Sequence, residues 1–371
     1  MTTLDRSAVD ALLTRARREV DDGLLPSWQL ALALDGEIVV SETYGDATPA
    51  TCYVVYSTTK ALVAGAVWAV MGDGLLDPSQ RVVELIPEFA TNGKDVITLE
   101  QVLLHTAGFP HAPMLVTAGD TSAGRCEAFA RWRLNWEPGT RFEYHASSAH
   151  WVLAELLELV TGEDFRDVVD TRVTRPAGIP RALGLEPGTY PYAEVVTVGE
   201  AATPQEIEAV FGIPELPVTE VTPEALLSFN DPAVRRVGMP GGGAVLRAED
   251  LALFYQAVLN NPGGMWKPAI LADVTENVRN HFPDPLTGVP ANRTLGLFQA
   301  GDDGRSHYRG MGRTVSPRTV GHNGAGGQIA WADPATGLSF AYVTNGLDQH
   351  ILREPRRTTA LASLAAVCAT T

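Results

Sequence analysis

The sequence predicts an α+β fold in which one antiparallel sheet is built from both termini and flanked by helices, with a mostly helical insertion between. Short β-branched and aromatic segments lie near both ends of the 371-residue chain, whereas the middle carries apolar runs of helical length. Asp35-Gly36 separates two strand-like segments at 28–34 and 37–44. An Asp-Gly pair in that setting is a strong hairpin signal, so the sheet is expected to begin there.

The first half of the chain continues with helices. An amphipathic helix precedes the hairpin, with apolar residues at helical spacing: Val9, Leu12, Leu13, Ala16 and Val20. After the hairpin, a short strand at 53–55 leads to Ser57 and a helix at 61–71, which contains no charged side chain. That run is too short to span a bilayer and predicts a buried helix. A capping box at 98–101 opens a short helix at 101–105, and another apolar helix is predicted at 151–160.

The second half returns to strands. Residues 178–229 are rich in Pro, Gly and Glu and predict loops with short helices. The Pro-Gly-Gly-Gly stretch at 240–243 marks a boundary where close backbone approach is wanted. A helix is then expected at 250–259 and another around 357–367. Between them lie three strand candidates, at 294–299, 328–332 and 338–344.

Composition excludes several classes of protein. The formal net charge is −16, which argues against binding nucleic acid or an anionic membrane, because both need basic patches. Cys52, Cys126 and Cys368 are an odd number and widely separated, so no disulfide framework is implied. The N-terminal segment lacks the apolar core and cleavage site of a signal peptide, and a cytoplasmic location is therefore expected.

Ser57 and Lys60 are the first candidates for chemistry, and two interpretations stay open. The serine can cap the helix that follows, or it can present its hydroxyl beside the helix N-terminus with Lys60 one turn along. A lysine in an otherwise buried helix is costly as an ammonium and tends to lose its proton, which would make it a base next to a hydroxyl. Ser-x-x-Lys alone is too frequent a pattern to decide between them.

Two later clusters also carry chemistry. Residues 142–146 (FEYHA) precede the apolar helix at 151–160, and Tyr144 near a cationic lysine can relay protons; the alternative is an ordinary loop aromatic. Residues 321–327 (GHNGAGG) precede a strand, where glycines let a substrate lie against an edge whose N–H groups hold an oxyanion; the alternative is a plain connecting loop.

The order of these clusters resembles the serine β-lactamase and penicillin-binding-protein superfamily: Ser-x-x-Lys, a tyrosine motif about 85 residues later, then a His-Asn-Gly motif before a late strand. Residues 73–77 (DGLLD) and 97–110 (ITLEQVLLHTAGFP) look like the branch of class C β-lactamases and their esterase relatives, the family VIII carboxylesterases. The resemblance implies a β-lactamase-like fold. Its sheet domain would comprise 1–55 and 240–371 and its helical domain 56–239, with the active site between them.

The resemblance also assigns roles. Ser57 would be the acyl-accepting nucleophile and Lys60 its general base, and Tyr144 would take part with the lysine in the proton transfers. The oxyanion hole would be the backbone N–H groups of Ser57 and Ala325, while the motif-three residues His322, Asn323 and Gly324 would bind substrate. The reaction would be a two-step acyl transfer to water without a metal or organic cofactor. His145 and His150 lack the partners of a zinc site, and His105 is expected to cap or pack in its turn.

Two departures from the β-lactamase pattern set the expected substrate. The usual Tyr-x-Asn of motif two reads Tyr144-His145-Ala146, and motif three opens with His322, expected to be mostly neutral, where lysine is usual. The side chains that usually bind a β-lactam are therefore missing. A carboxylesterase acting on small or medium acyl groups fits better. The alternatives are an acyltransferase or transesterase with the same site, an amide or β-lactam hydrolase, and a ligand-binding member without activity. The oligomeric state stays open.

Overall fold

A six-stranded antiparallel sheet draws its strands from both ends of the chain. The computed structural model describes residues 2–215 and 220–370. Within them the strands are β1 (Thr3–Leu4), β2 (Ser27–Leu34), β3 (Glu37–Gly45), β4 (Tyr53–Val54), β5 (Val196–Val198), β6 (Val245–Leu246), β7 (Phe298–Gln299), β8 (Val320–Gly321), β9 (Ile329–Asp333), β10 (Leu338–Thr344), β11 (Gly346–Asp348) and β12 (Ala369–Thr370).

Helices make up most of the segment between the two groups of strands and also flank the sheet. They are α1 (Arg6–Asp21), α2 (Thr59–Gly72), α3 (Leu99–Leu103), α4 (Val116–Gly119), α5 (Ser122–Arg131), α6 (Ser148–Thr161), α7 (Phe165–Val169), α8 (Pro204–Phe211), α9 (Pro223–Leu227), α10 (Pro232–Val237), α11 (Ala248–Asn260), α12 (Pro268–Glu276) and α13 (Arg353–Ala366). Single 3₁₀ turns at Tyr56–Thr58 and Ala325–Gly327 border the site described below.

The order of the sheet is β3-β2-β10-β9-β8-β7, so the N-terminal hairpin pairs with the C-terminal strands through β2 and β10. Leu32 lies opposite Phe340 in that central pair. Asp35 and Gly36, with φ of 51° and 83°, form the two-residue turn that joins β2 to β3. The predicted α+β class, with one sheet built from both termini, is confirmed.

The sheet is covered on both faces. Alternate residues of β2 enter two apolar clusters: Leu30 and Leu32 pack with α1 and α13, whereas Ala31 and Ala33 pack with α2 and α11. The cluster that contains Ala31 and Ala33 extends from the sheet to Trp151 in the helical segment. The sheet and the helical segment therefore share a core. The predicted domain division at 55 and 240 stays a prediction.

Most predicted strands and helices differ from the structure by a few residues at their ends, and three of the differences are described here. The strand expected at 294–299 is reduced to β7, because Gly296, with φ of 110°, turns the chain back over Ala64. The strand expected at 53–55 is β4, which pairs with β6 outside the main sheet. The helix expected at 101–105 is α3, which begins earlier because Thr98 caps it through the Gln101 N–H.

A buried ion network fastens α13 to the rest of the fold. The Arg357 guanidinium donates to Glu19 of α1 at 2.6 Å and to Asp348 of β11 at 2.7 Å. All three side chains are at most 3% exposed. Removing one partner of such a network leaves a buried charge poorly compensated.

We expect Glu19→Gln to lower the free energy of unfolding by roughly 3 kcal/mol, since breaking a buried pair usually costs 3–5 kcal/mol and Asp348 remains as a partner. Urea denaturation measures the change. Glu127→Gln is the control, because its pair with Arg131 is exposed on both sides and exposed pairs contribute little. Equal effects of the two substitutions would contradict a structural role for the network.

Candidate active site

Ser57 lies in the 3₁₀ turn between β4 and α2. The residue before it, Tyr56, has φ of 44°, a left-handed conformation that is costly for a side chain of this size. The surroundings hold it there, since its hydroxyl donates to the Leu226 carbonyl at 3.2 Å and its ring meets Phe229 edge-on at 5.5 Å. Ser57 makes no capping bond to α2, which begins at Thr59, and instead it lines a cavity. The capping interpretation is therefore wrong.

Lys60 is fully buried and directs its ammonium at Ser57. Its Nζ donates to Ser57 Oγ at 3.2 Å and to the carbonyls of Ala146 and Gly241 at 2.6 and 2.5 Å. These three acceptors come from three separate segments of the chain. The position of the amine is therefore set by the fold and not by the flexible side chain alone.

Burial also sets the proton affinity of this amine. Desolvation lowers the pKa of Lys60 to about 7, while Glu220 raises it and Arg293 lowers it. A large fraction of the amine is then neutral near pH 7. The direction is the one expected for a lysine placed in a buried helix.

Tyr144 completes the group around Ser57. Burial raises the pKa of its phenol to about 12, while a hydrogen bond with Ser57 and the charge of Arg293 lower it. Its ring centroid lies 5.2 Å from Lys60 Nζ, and its face stacks on His105 at 4.8 Å. The structure thus brings Ser57, Lys60 and Tyr144 together, as the motif order predicts.

Two histidines support the tyrosine from behind. His105 Nδ1 accepts from the His145 backbone N–H at 2.9 Å, and His145 Nε2 accepts from the Phe109 N–H at 3.2 Å. Burial lowers the pKa of both rings, so they are neutral at pH 7. His105 therefore packs in its turn, as expected, and fixes the plane of the Tyr144 ring.

A cavity of about 350 Å³ opens over Ser57. Tyr144 and the motif-three residues Asn323, Gly324 and Ala325 line it together with the serine. The rest of the lining combines apolar and aromatic residues with three polar ones: Phe142, Val221, Leu286, Val289, Pro290, Ala291, Phe298 and Tyr308, with Asp284, Thr287 and Arg309. Glu354 also lines the cavity, and burial raises the pKa of its carboxyl to about 7.

Motif three contributes its backbone rather than its histidine. A Cβ on Gly324 would lie 2.5 Å from the Val55 carbonyl, so only glycine lets this segment approach the nucleophile turn so closely. His322 does not line the cavity. Its ring is 2% exposed and packs against Tyr144 and Phe298, with Nδ1 directed at the Asn323 carbonyl at 2.7 Å. The side chain is thus in contact with two cavity-lining rings, and the role expected for His322 in substrate binding stays a prediction.

Three residues of the site were not identified as site residues from the sequence. Gly241 had a signal, since 240–243 indicated close approach: a Cβ there would lie 3.1 Å from the Ala146 carbonyl and 3.3 Å from Lys60 Nζ. Glu220 accepts from the Ser147 N–H and hydroxyl at 2.9 and 3.0 Å. Arg293 is buried beside Tyr144 and belongs to no motif.

The described residues hold no cluster of His, Cys, Asp and Glu that could bind a metal ion. Across the same ranges, none of the helices has the length and apolarity needed to cross a membrane.

Comparison with known proteins identifies the family. Residues 12–364 match the model of the Beta-lactamase family. The chain belongs to this family. Among its relatives is the "Esterase/beta-lactamase LipL" of Mycobacterium tuberculosis, 27% identical over 86% of this chain and 76% of the relative.

Solved structures agree with this membership. This Beta-lactamase family chain superposes on the crystal structure of a family VIII carboxylesterase with a TM-score of 0.76 and 25% identity, covering 98% of this chain and 99% of the other. A penicillin-binding-protein homologue from Caulobacter crescentus gives a TM-score of 0.76 at 23% identity, covering 98% and 99% of the two chains. The β-lactamase-like fold expected from the sequence is confirmed.

The protonation of Lys60 can be followed through stability. Because burial lowers its pKa, the unfolded state binds this proton more tightly, and stability rises with pH between the folded value near 7 and the unfolded value near 10.5. Relative to Lys60→Met, the parent should therefore gain about 3 kcal/mol of unfolding free energy between pH 7 and pH 10, at ~1.4 kcal/mol per unit.

Urea titrations of both proteins across this range measure the difference, in which all other titrating groups largely cancel. Lys267→Met is the control, since Lys267 is an exposed lysine. A parent-to-Lys60→Met difference that stays constant with pH would show that Lys60 has an ordinary pKa.

Proposed function

We propose that this Beta-lactamase family member is a serine carboxylesterase that cleaves small or medium acyl esters through an acyl-enzyme on Ser57. One observation carries the proposal: a buried lysine, whose pKa is lowered to about 7, donates to the hydroxyl of a serine that lines an open cavity. The esterase names of LipL and of the family VIII structure support it.

In the first step, Ser57 Oγ attacks the ester carbonyl carbon and its proton passes to the neutral amine of Lys60. The carbon–alkoxide bond then breaks, and Tyr144, which hydrogen-bonds to Ser57, hands a proton to the leaving alcohol and is reprotonated from Lys60. In the second step, water adds to the acyl-enzyme and gives up a proton through the same pair. The carboxylic acid leaves and Ser57 recovers its hydrogen.

The negative charge that develops on the carbonyl oxygen needs two donors. We assign these to the backbone N–H groups of Ser57 and Ala325, because both residues line the same cavity. Gly324 supports this assignment, since its lack of a Cβ lets the Ala325 turn lie against the nucleophile turn. Asn323 and Gly324 would contact the substrate, with His322 behind them.

The side chains favour an ester over a β-lactam. Ala146 offers a methyl group where the related enzymes carry asparagine, and its carbonyl is already bonded to Lys60. His322 is buried and neutral, because desolvation holds its pKa well below the usual range, so it supplies no charge for a carboxylate. The apolar and aromatic residues of the cavity lining suit an alkyl or aryl group. An acyl transfer to an alcohol would use the same residues.

The β-lactam alternative is retained because the name of LipL contains both activities. We also propose a cytoplasmic location, since Cys52, Cys126 and Cys368 are all free thiols and no pair of them forms a disulfide in the described ranges.

The test is hydrolysis of p-nitrophenyl butyrate by the parent and by Ser57→Ala. The parent should turn over the ester, and Ser57→Ala should lose about 10³-fold or more of kcat, because the nucleophile has no substitute. Ser41→Ala, an exposed serine on the edge strand β3, is the matched control and should retain parental rates.

A chromogenic cephalosporin assayed in parallel separates the two substrate classes. We expect the ester to be much the better substrate, judged by kcat/KM. Equal ester turnover in the parent and Ser57→Ala, or cephalosporin turnover at a comparable rate, would contradict the proposal.

A further inference from the structure

Arg293 is fully buried next to the catalytic tyrosine. Its guanidinium carbon lies 4.1 Å from the ring centroid of Phe298 and 5.9 Å from that of Tyr144. The side chain lies in the wall behind the cavity and has no measurable exposure. It follows Asn292, whose φ of 46° places the chain in a left-handed turn just before the arginine.

The charge of Arg293 is uncompensated. Over residues 2–215 and 220–370, none of its three guanidinium nitrogens has a hydrogen-bond acceptor. The other buried arginines are paired: Arg125 with Glu155, Arg309 with Asp303 and Arg357 with Glu19. An unpaired buried cation is expensive, and an apolar side chain would fill the same space at lower cost.

The groups around Arg293 do not neutralise it. Lys60 faces it from α2, His105 from the turn after α3, His145 from the segment leading into α6, His150 from α6 itself, and His322 from the turn after β8. Burial lowers the pKa of each of these histidines, so they carry no charge at pH 7. Among the described residues, the acid that acts on both Lys60 and Tyr144 is Glu220, whose carboxylate accepts from Ser147.

We propose that Arg293 is a positioning residue whose fixed charge favours the deprotonated phenol of Tyr144 and the neutral amine of Lys60. It thereby supplies the cation that motif three lacks where His322 stands in place of lysine. The inference rests on the proposed function, because it assigns Arg293 to the proton transfers of that site.

The sign of its effect is the same for both partners. A neighbouring positive charge lowers the pKa of a phenol and of an ammonium alike, and charges 4–6 Å apart typically shift a pKa by 1–3 units. Because the amine of Lys60 accepts the proton from Ser57, removing the arginine should move the deprotonation that activity requires to higher pH.

The test compares the pH dependence of kcat/KM for p-nitrophenyl butyrate in the parent and three variants. Arg293→Met should shift the acidic limb upward by about one pH unit and lower kcat about 5-fold at pH 7, with a smaller change in KM. Arg293→Gln also removes the charge but keeps a polar side chain, so it should shift the limb to the same extent. Phe298→Leu removes the stacked ring but keeps the charge, so its limb should stay in place even if its melting temperature falls.

A limb that stays in place in both Arg293→Met and Arg293→Gln would overturn the inference while Ser57-dependent activity in the parent still upheld the proposed function. If Arg293→Met does not fold, Arg293→Gln gives the same comparison. A further test needs no catalysis: the pH titration of stability, parent against Lys60→Met, is repeated with Arg293→Met present in both proteins. The pH at which stability begins to rise should then move upward, and an unmoved onset would overturn the inference even for a protein without esterase activity.

Discussion

The site depends on how the amine of Lys60 is held. Its three acceptors lie on the nucleophile turn, on the motif-two loop and on the glycine-rich segment at 241. The Lys60 nitrogen therefore connects, through hydrogen bonds, three parts of the chain that are far apart in sequence. The amine is also shielded from solvent. Its hydrogen bonds stabilise the charged form, whereas desolvation disfavours that form and lowers its pKa. Position and reactivity come from the same burial.

The fold provides that burial through α2, in which every residue is buried. The helix packs against α6, α7 and α12, within one continuous apolar cluster that extends to the sheet and α11. At its start, β4 pairs with β6, which brings the segment around Gly241 beside Ser57. The strained backbone of Tyr56 is then fixed by tertiary contacts to Leu226 and Phe229. The packing of this core stabilises the fold enough to offset the backbone strain at Tyr56 and the burial of the Lys60 amine.

The sequence was informative where a local pattern fixes the structure. Asp35-Gly36 predicted the hairpin because its turn needs positive φ, and Thr98 with Gln101 predicted a helix start because a capping box is local. Ser57, Lys60 and Tyr144 were found by their spacing and order. Arg293 was not, because its significance lies in the lack of a hydrogen-bond partner among the described residues, which only the packed structure reveals. The burial of the His322 ring could not be predicted for a similar reason: the pattern located the loop, but the ring is buried by its contacts with Tyr144 and Phe298.

The most direct measurement is to catch the intermediate. The protein is mixed with p-nitrophenyl butyrate, quenched in acid within the first turnover, digested and analysed by peptide mass spectrometry. The account predicts a butyryl group on the peptide that contains Ser57, absent from the Ser57→Ala protein. Ester turnover without any acylated peptide, or with the acyl group on another residue, would contradict the central claim that a serine activated by a buried lysine carries the reaction.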